Sequence, residues 1–404
     1  MTGQAMTAAR SIYSCALSGI LGAAISGVGA SAEAQTKPSD SAWTHEVTYT
    51  ADVTGPVKGG AAHAGRFLDN LDVIVDGDLE KLVGWRGASV HGYLLNNSGG
   101  APNDQAGTLQ GVDNIEVGRP RARLYELWVR AHFAGDKGSV LAGLYDLNSE
   151  FYSTEASGLL LAPPFGIGSE LASTGPNGPS IFPSTALGVR ARFEGGQGAY
   201  VQAAVLNAHA GTVGDPDGPS TQFDNGALMV AEAGIGDSWR LAAGGWFYTE
   251  RQTDLRDLDL NGDPALSHAR GGYVLAEYPF VDGGEAGRSV RGFARIGVSD
   301  GDTTPFRSGW QAGILVEKVF ASRPDSAFSV GVEQGVLSSK QRDNTRDAGI
   351  TPADAESSIE ITYSDKVAPR VTLQPDLQVI RRAGGDQDAQ NVVVMALRMT
   401  ISLF

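Results

Sequence analysis

The sequence predicts an all-β fold: a transmembrane, antiparallel, up-and-down β-barrel of about 16 strands, with a long loop folded into the pore. Three observations predict it. About sixteen segments alternate between apolar and polar residues, and the connections between them alternate between short and long. Beyond residue 34, no apolar stretch approaches the roughly 18–20 residues that a membrane-spanning helix needs. If this chain enters a membrane, it therefore spans the membrane as strands.

The period-2 segments carry two kinds of face. In residues 121–133, for example, Leu127 and Val129 share one face with Tyr125, while Glu126 and Arg130 lie on the other. An apolar face and a polar face suit a wall with lipid outside and water inside. The sixteen segments are residues 44–54, 66–79, 84–96, 121–133, 138–146, 185–194, 198–207, 225–236, 239–250, 268–278, 289–299, 307–319, 327–337, 358–364, 370–380 and 391–404.

The connections give an independent indication of the same fold. Short connections lie near residues 81–83, 135–136, 195–197, 236–238, 281–288, 321–326 and 365–369. Longer ones lie near residues 55–65, 97–120, 147–184, 208–224, 251–267, 300–306, 338–356 and 382–390. Short turns at one end and long loops at the other are typical of an up-and-down membrane barrel. A solenoid would show a fixed repeat period, which this sequence lacks.

The longest connection, from Leu147 to Ser184, has too much Pro and Gly for a strand or a regular helix. It is also too apolar for a solvated linker. Long structureless loops in compact domains are usually functional. Because alternating segments flank it on both sides, the simplest container for it is the inside of the barrel.

The first 34 residues resemble a signal peptide. Arg10 precedes an apolar run of small residues from Ser11 to Val28, and cleavage after Ala32 or after Ala34 would suit signal peptidase. A buried helix is the alternative. The domains are then a signal peptide (1–34) and a barrel domain (35–404). Cys15, the single cysteine, lies at the front of the apolar run, which argues against lipidation and leaves the mature chain without cysteine.

The net charge and the C-terminal residue also bear on the class of protein. The chain has 31 basic and 46 acidic residues, a formal net charge of −15, which argues against nucleic acid as a partner. It ends on an aromatic residue, Phe404, as outer-membrane barrels characteristically do. However, Phe404 has the opposite parity to the apolar positions of the last segment, so a bulge re-aims it or the terminal signal is weak.

Several motifs indicate a family. They are Asp146-Leu-Asn-Ser-Glu-Phe151, Pro164-Phe-Gly166, the run 175–183 leading to Leu187-Gly188, and Leu373-Gln-Pro-Asp-Leu-Gln378. With them, the chain resembles the OprB-like carbohydrate-selective porins of bacterial outer membranes over essentially all of its mature length. The resemblance implies an exported, sixteen-stranded outer-membrane porin that passes sugars, glucose above all, by facilitated diffusion. A single barrel and a homotrimer are both compatible with the sequence.

A sugar-selective pore needs polar groups for hydroxyls and aromatic faces for C–H patches, and its binding must stay weak. From the long loop we expect Glu150 as an acceptor, Asn177 as a mixed donor and acceptor, and four aromatic platforms: Phe151, Tyr152, Phe165 and Phe182. From the wall we expect Arg130, Arg190, Arg192, Arg291 and Arg295, opposed by Glu126, Glu317, Glu333 and Asp376. The alternative is that the rings pack the loop and the charges are simply solvated.

The sequence predicts no enzyme, cofactor or metal site. Residues 257–263 imitate the start of a calcium loop, but the twelfth position is His268 instead of Glu. The six histidines lack zinc-ligand spacing, and no nucleophile elbow or phosphate-binding loop is present. The expected partners are small carbohydrates and outer-membrane lipid. A general or anion-preferring porin is the first alternative, and a barrel-embedded enzyme or adhesin is the second.

Overall fold

The computed structural model describes residues 41–216, 218–284 and 287–404. The predicted signal peptide lies outside the described residues. Within them, sixteen antiparallel strands form one closed barrel and two further strands form a separate hairpin. The predicted fold class is therefore confirmed.

The barrel strands overlap all sixteen predicted segments. They are β1 (Trp43–Lys58), β2 (Arg66–Asp78), β3 (Ala88–Gly99), β4 (Ala122–Phe133), β5 (Gly138–Tyr145), β6 (Ala186–Glu194), β7 (Tyr200–Asn207), β8 (Ala227–Ile235), β9 (Arg240–Tyr248), β12 (Arg270–Val281), β13 (Ser289–Ser299), β14 (Phe306–Glu317), β15 (Ala327–Leu337), β16 (Ala355–Ala368), β17 (Val371–Arg381) and β18 (Val392–Ser402), and the separate hairpin is β10 (Gln252–Leu258) with β11 (Pro264–Ser267).

Each barrel strand pairs with its neighbours along the chain. The one interruption is the β10–β11 hairpin, across which β9 pairs with β12, and β1 pairs with β18 to close the barrel. The sequence predicts a plain loop where the hairpin lies. The hairpin is held by charge, because Lys340, in the short helix Ser339–Asp347, pairs with Asp254 and Asp257.

The strands have an inner and an outer face, as the alternation predicts. In β18, Val394 and Arg398 are 0% and 6% exposed, whereas Met395 and Leu397 between them are 55% and 48% exposed. Burial on alternate positions places the first pair inside the barrel and the second pair against lipid.

One side chain, that of Tyr125, faces inward where the alternation predicts that it faces outward. Tyr125 shares parity with Leu127 and Val129, but it is buried and its hydroxyl donates to Asp146 at 2.6 Å. A register shift between β3 and β4 leaves Tyr125 as an extra residue, opposite no partner. The bulge turns its side chain inward.

In the part of the chain that the structure describes, four short helices occupy connections between strands: α1 (Leu79–Val83), α2 (Asn103–Ala106), α3 (Ser169–Ala172) and α4 (Ser339–Asp347). Among the described residues, none of the helices has the length and apolar character needed to cross a membrane. Helix α1 closes the first short connection, where the Asp78 side chain accepts from the Glu80 N–H at 2.9 Å and so caps the helix.

The chain end lies beyond the last strand. Because β18 ends at Ser402, the parity of the strand does not apply to Phe404. Its ring lies 6.1 Å from the ring of His45 on β1 and is 74% exposed.

We expect the lipid-facing side of β18 to reject charge. Replacing Leu397 by Arg should lower the free energy of unfolding by about 2–4 kcal/mol, the cost of a basic side chain near the bilayer midplane. Urea unfolding of protein folded into lipid vesicles, followed by tryptophan fluorescence, measures this. Leu397→Met is the matched control, and equal stability of the two variants would contradict the placement of this face.

Candidate functional site

The long inner segment, residues 147–184, lies inside the barrel. It leaves the wall after β5 and rejoins it at β6, yet its middle contacts the opposite side of the barrel. Glu360 on β16 accepts hydrogen bonds from the N–H groups of Leu161 and Ala162, the second at 2.9 Å. Ile359 and Ile361, which flank Glu360, are exposed on the outer face. Glu360 therefore points inward, and the segment crosses the lumen to reach it.

Inward-facing carboxylates of the wall accept hydrogen bonds from backbone N–H groups of this segment. The segment has little regular structure beyond short 3₁₀ turns and α3, so most of its buried N–H groups need partners from elsewhere. Glu232 accepts from Tyr152 N–H (3.1 Å) and Glu277 from Ala156 N–H (2.8 Å), and Glu360 binds the segment as above. Glu126 accepts from Asp146 N–H (3.0 Å), the residue just before the segment. These four strands, β4, β8, β12 and β16, are spread around the barrel.

Wall donors bind the carbonyl groups of the same segment. Arg295 on β13, 2% exposed, donates to four of them: the carbonyls of Tyr152, Pro164, Phe165 and Gly166, at 2.7–2.9 Å. The sequence predicts Arg295 as a sugar-contacting charge, and the structure places it in contact with the inner segment. Its guanidinium group anchors the inner segment because all of those carbonyls converge on it.

The four predicted aromatic platforms are also buried. Phe151, Tyr152, Phe165 and Phe182 are 0–3% exposed. Tyr152 stacks on Tyr273 with ring centroids 3.9 Å apart. Phe165 and Phe182 meet the wall rings Phe293 and Tyr125 edge-on, with centroids 6.3 and 6.0 Å apart. A segment without its own core buries its apolar side chains against the wall. This burial is what the packing alternative expects, and the role of the four rings as platforms for a sugar stays a prediction.

Glu150 links the inner segment to two arginines of the wall. Its carboxylate accepts from Arg190 at 2.6 Å through both oxygens, from Arg130 at 3.2 Å and from the Tyr145 hydroxyl at 2.7 Å. Burial raises the pKa of Glu150, but the hydrogen bond and charge of Arg190 outweigh it and hold that pKa below its ordinary value. Arg190 is 1% exposed, so it too serves as an anchor, whereas the side chains of Arg130 and Glu150 keep 30% and 18% exposure.

Two stacks of rings and guanidinium groups line the lumen beside this cluster. In the first, Trp128 lies against His91, with ring centroids 4.5 Å apart, and its ring also contacts the guanidinium group of Arg130 at 4.8 Å.

In the second stack, the ring of Tyr200 contacts Arg192 at 4.3 Å and Arg240 at 5.4 Å. Sequence reasoning missed His91, Trp128, Tyr200 and Arg240 as site residues. For Trp128 the available signal was its parity within β4, which it shares with the predicted residues Glu126 and Arg130.

The remaining predicted residues are dispersed. Arg291 on β13 pairs with Glu155 of the inner segment. Asn177 is exposed and donates to the carbonyl of Ala210 in the following loop, away from the Glu150 cluster. Glu317 is exposed near a short turn and accepts from Ser289 at 2.7 Å. Glu333 and Asp376 are buried behind the inner segments.

Comparison with known proteins agrees with this architecture. A family model described as carbohydrate-selective porin, OprB family, matches residues 62–403. The chain belongs to the OprB family of carbohydrate-selective porins.

Relatives and solved structures of this family are similar to the chain. Porin B of Pseudomonas aeruginosa is 21% identical over 408 residues, which cover 90% of this chain and 88% of that protein. The high-pH structure of OprB from Pseudomonas putida superimposes with a TM-score of 0.79 at 20% identity, covering 90% of this chain and 94% of the other.

A more distant structure shares the barrel. The anion-selective porin from Comamonas acidovorans superimposes with a TM-score of 0.54 at 12% identity, covering 89% of this chain and 99% of the other. At such identities the structural likeness shows the fold alone. With the family match, the chain is an outer-membrane porin for carbohydrates, and family and fold indicate a channel rather than an enzyme.

This OprB-family porin also has a short inner segment, residues 100–120, which the sequence predicts only as a loop. Glu356 on β16 accepts from the N–H groups of Leu109 and Gln110 at 2.9–3.0 Å. Arg398 on β18 binds Asp52 at 2.7 Å and the Asn114 side chain at 2.7 Å. The short inner segment is therefore bound to the wall near the β1–β18 pair that closes the barrel. The long inner segment has fewer contacts with this part of the wall.

Arg295 offers a direct test of the anchoring. Arg295→Met should keep the volume but leave four buried carbonyls without their donor, at about 1–3 kcal/mol for each group that finds no other partner. We expect a lower unfolding temperature and a noisier open-channel current in a planar bilayer. Arg192→Met, which removes a partly exposed guanidinium group without contacts to the inner segment, should leave the current quiet. A quiet Arg295→Met channel of unchanged stability would contradict the anchoring role.

Proposed function

We propose that this porin lets neutral monosaccharides of the glucose type cross by facilitated diffusion, and that they contact the partly exposed charged groups of the lumen. The observation that carries the proposal is that four partly exposed arginines of the wall each pair with a carboxylate. The pairs are Arg130 with Glu150 (3.2 Å), Arg192 with Glu194 (3.0 Å), Arg240 with Glu232 (2.8 Å) and Arg291 with Glu155.

Pairing favours a neutral substrate over an anion. An anion-selective pore needs positive charge that is free to act on the ion, whereas a carboxylate within hydrogen-bond distance cancels most of that field. A paired guanidinium group still has N–H groups to donate, and a paired carboxylate that stays exposed, such as Glu194 at 57%, still has lone pairs to accept. Alternating donors and acceptors suit the hydroxyl groups of a sugar, each of which both donates and accepts.

The aromatic rings support this role indirectly. Trp128 and Tyr200 have guanidinium or imidazole groups against their faces, so their faces are less available to stack on a sugar. We infer that the rings orient the guanidinium groups. Cation–π contact keeps each guanidinium plane against a ring, and its N–H groups can then donate to a solute. Binding at such a wall stays weak, because each hydrogen bond to the sugar replaces one to water, and weak binding is what passage requires.

Among the residues that the sequence predicts as the constriction, we propose direct sugar contact for Glu150, Arg130, Arg192 and Arg291. To these we add Arg240 and Tyr200. Arg190, Arg295 and Glu126 would act through the position of the inner segment. No covalent chemistry is involved, since facilitated diffusion requires only successive weak sites.

Single-channel conductance with sugar titration tests this assignment. Glucose should block the ion current saturably, a disaccharide less, and an amino acid not at all. Arg192→Ala should weaken glucose block about threefold to tenfold, because one hydrogen bond to the sugar, worth about 1 kcal/mol at a partly exposed site, is lost. Val201→Ala, on the outer face of β7 and 54% exposed, is the control. Glucose block that is identical in the two variants would remove Arg192 from the site, and conductance insensitive to sugar would refute a sugar-binding constriction.

Charge selectivity tests the pairing. The wild-type reversal potential in a potassium chloride gradient should be close to that of an unselective pore. Replacing Glu155 and Glu194 by Gln frees Arg291 and Arg192 and should shift the reversal potential toward anion selectivity. Glu80→Gln, which removes the partner of Arg86 at a short turn, is the control. A wild-type channel that already strongly prefers anions would favour the general anion porin instead.

A further inference from the structure

A row of inward-facing residues crosses the wall in register, with one residue on each of β6, β7, β8, β9 and β12. The residues are Arg192, Gln202, Glu232, Gly244 and Tyr273, in that order. Residues directly opposite each other on neighbouring antiparallel strands lie close enough for their side chains to interact. The side chain of Arg192 is 27% exposed, whereas Tyr273 is 3% exposed. The row therefore leads from a proposed sugar contact to a buried part of the wall.

Glu232 is the centre of this row. Its side chain is 0% exposed and accepts from five donors: the guanidinium group of Arg240 (2.8 Å), the hydroxyl groups of Tyr200 (2.7 Å) and Tyr273 (2.8 Å), the N–H of Tyr152 (3.1 Å) and the amide of Gln202 (3.2 Å). A carboxylate has about four lone-pair sites, so this one is fully occupied. Glu232 therefore affects a solute in the lumen only through the side chains that it holds.

The hydroxyl group of Tyr273 reaches Glu232 across Gly244. A Cβ atom on Gly244 would lie 2.4 Å from Cζ of the Tyr273 ring. Because glycine has no Cβ atom, the ring can lie over the strand at this position. The same ring stacks on Tyr152 of the long inner segment, so the row and the segment are packed together.

Gln202 connects Arg192 to this carboxylate and to the long inner segment. Its side-chain oxygen accepts from Nη1 of Arg192 at 3.0 Å. Its side-chain nitrogen donates to Glu232 at 3.2 Å and to the carbonyl of Glu150 at 2.9 Å. Both atoms of the amide are thus bonded to protein groups, and Gln202 is 1% exposed. A solute in the lumen therefore meets Arg192 but not the residue that holds it.

We infer that Gln202 is a positioning residue for sugar passage: it fixes the guanidinium group of Arg192 relative to Glu150. This role rests on the proposed sugar contact of Arg192. The other polar partner of Arg192 is Glu194, at 3.0 Å and 57% exposed, and an exposed ion pair of this kind holds a long side chain weakly. A guanidinium fork held by a buried amide loses less freedom when a sugar hydroxyl group binds to it.

Gln202 also sets the spacing between the two groups of proposed sugar contacts. Arg130 and Glu150 form one group, and Arg192 belongs to the other. Because the amide of Gln202 bonds to the backbone of Glu150 as well as to Arg192, the inner segment and the wall keep a fixed register at this point.

Gln202→Met tests the role, since it keeps the length of the side chain but removes both polar atoms. Glucose block in single-channel recordings of the full protein should weaken about threefold to tenfold, as in Arg192→Ala, because an unheld guanidinium group contributes little. The open-channel conductance should stay close to the wild-type value, because Gln202 is buried. Gln334→Met is the matched control: Gln334 accepts from Trp310 on the outer face of β15, and its loss should leave glucose block unchanged.

Double variants separate positioning from general loosening. In an Arg192→Ala channel, Gln202→Met should weaken glucose block by a further factor of only about two or less, because the two residues act as one unit. In an Arg291→Ala channel its full effect should remain, since Arg291 pairs with Glu155 instead. Equal losses in both backgrounds would overturn the positioning role. A normal block in Gln202→Met beside a weakened one in Arg192→Ala would overturn it and leave the proposed function intact, whereas a normal block in Arg192→Ala would refute the sugar contact itself.

A crystal structure of Gln202→Met gives a readout that does not depend on sugar. The guanidinium group of Arg192, 4.3 Å from the centre of the Tyr200 ring in the wild-type protein, should move or lose its order. An unchanged guanidinium group would overturn the positioning role. If Gln202→Met does not fold, Gln202→Asn replaces it in every measurement, because its amide is one methylene group too short to span Arg192 and Glu150.

Discussion

The structure depends on one constraint: irregular backbone placed inside a barrel must find hydrogen-bond partners that it cannot supply itself. A sheet or a helix satisfies its own N–H and C=O groups, whereas a Pro-rich and Gly-rich segment does not. Here the wall supplies them, with carboxylates for the amides and with guanidinium and amide groups for the carbonyls. Glu360 and Arg295 show the two halves of this arrangement.

The same constraint explains why so many lumen charges are not available to a solute. Arg190 and Arg295 lie on the inner face and carry full charges, but they are 1% and 2% exposed because the inner segment covers them. The groups left in contact with the lumen are the ones in pairs or stacks, such as Arg192 with Glu194 and with the ring of Tyr200. Some charged side chains of the wall therefore anchor the inner segment, and others are in contact with the lumen.

The fold could be predicted from the sequence because period-2 alternation and connection length are local properties. Every barrel strand lies on a predicted segment, while the bulge at Tyr125 and the β10–β11 hairpin depend on pairing that local patterns do not encode. The site was harder for the same reason. Parity places Arg130 and Arg295 on the inner face alike, but only the path of the inner segment buries one and leaves the other partly exposed.

The residue types of the long segment predicted its place inside the barrel. They did not predict what its aromatic rings contact. Phe151 and Phe165 were conspicuous as aromatic residues in a pore loop, and an exposed ring and a packed ring look the same in a sequence. His91 and Tyr200 were inconspicuous, since a ring on a strand is ordinary. What gives them a place in the lumen is their contact with Trp128 and Arg192, residues distant in sequence or on another strand.

The anchors of the long inner segment have a consequence for assembly. The segment follows β5, but its partners Glu232, Glu277, Arg295 and Glu360 lie on β8, β12, β13 and β16, which emerge later in synthesis and export. It therefore cannot acquire its full set of partners until most of the C-terminal half of the chain is in place. The short inner segment is tied to Arg398 on β18, so it cannot be fully anchored before the last strand, whose pairing with β1 also closes the barrel.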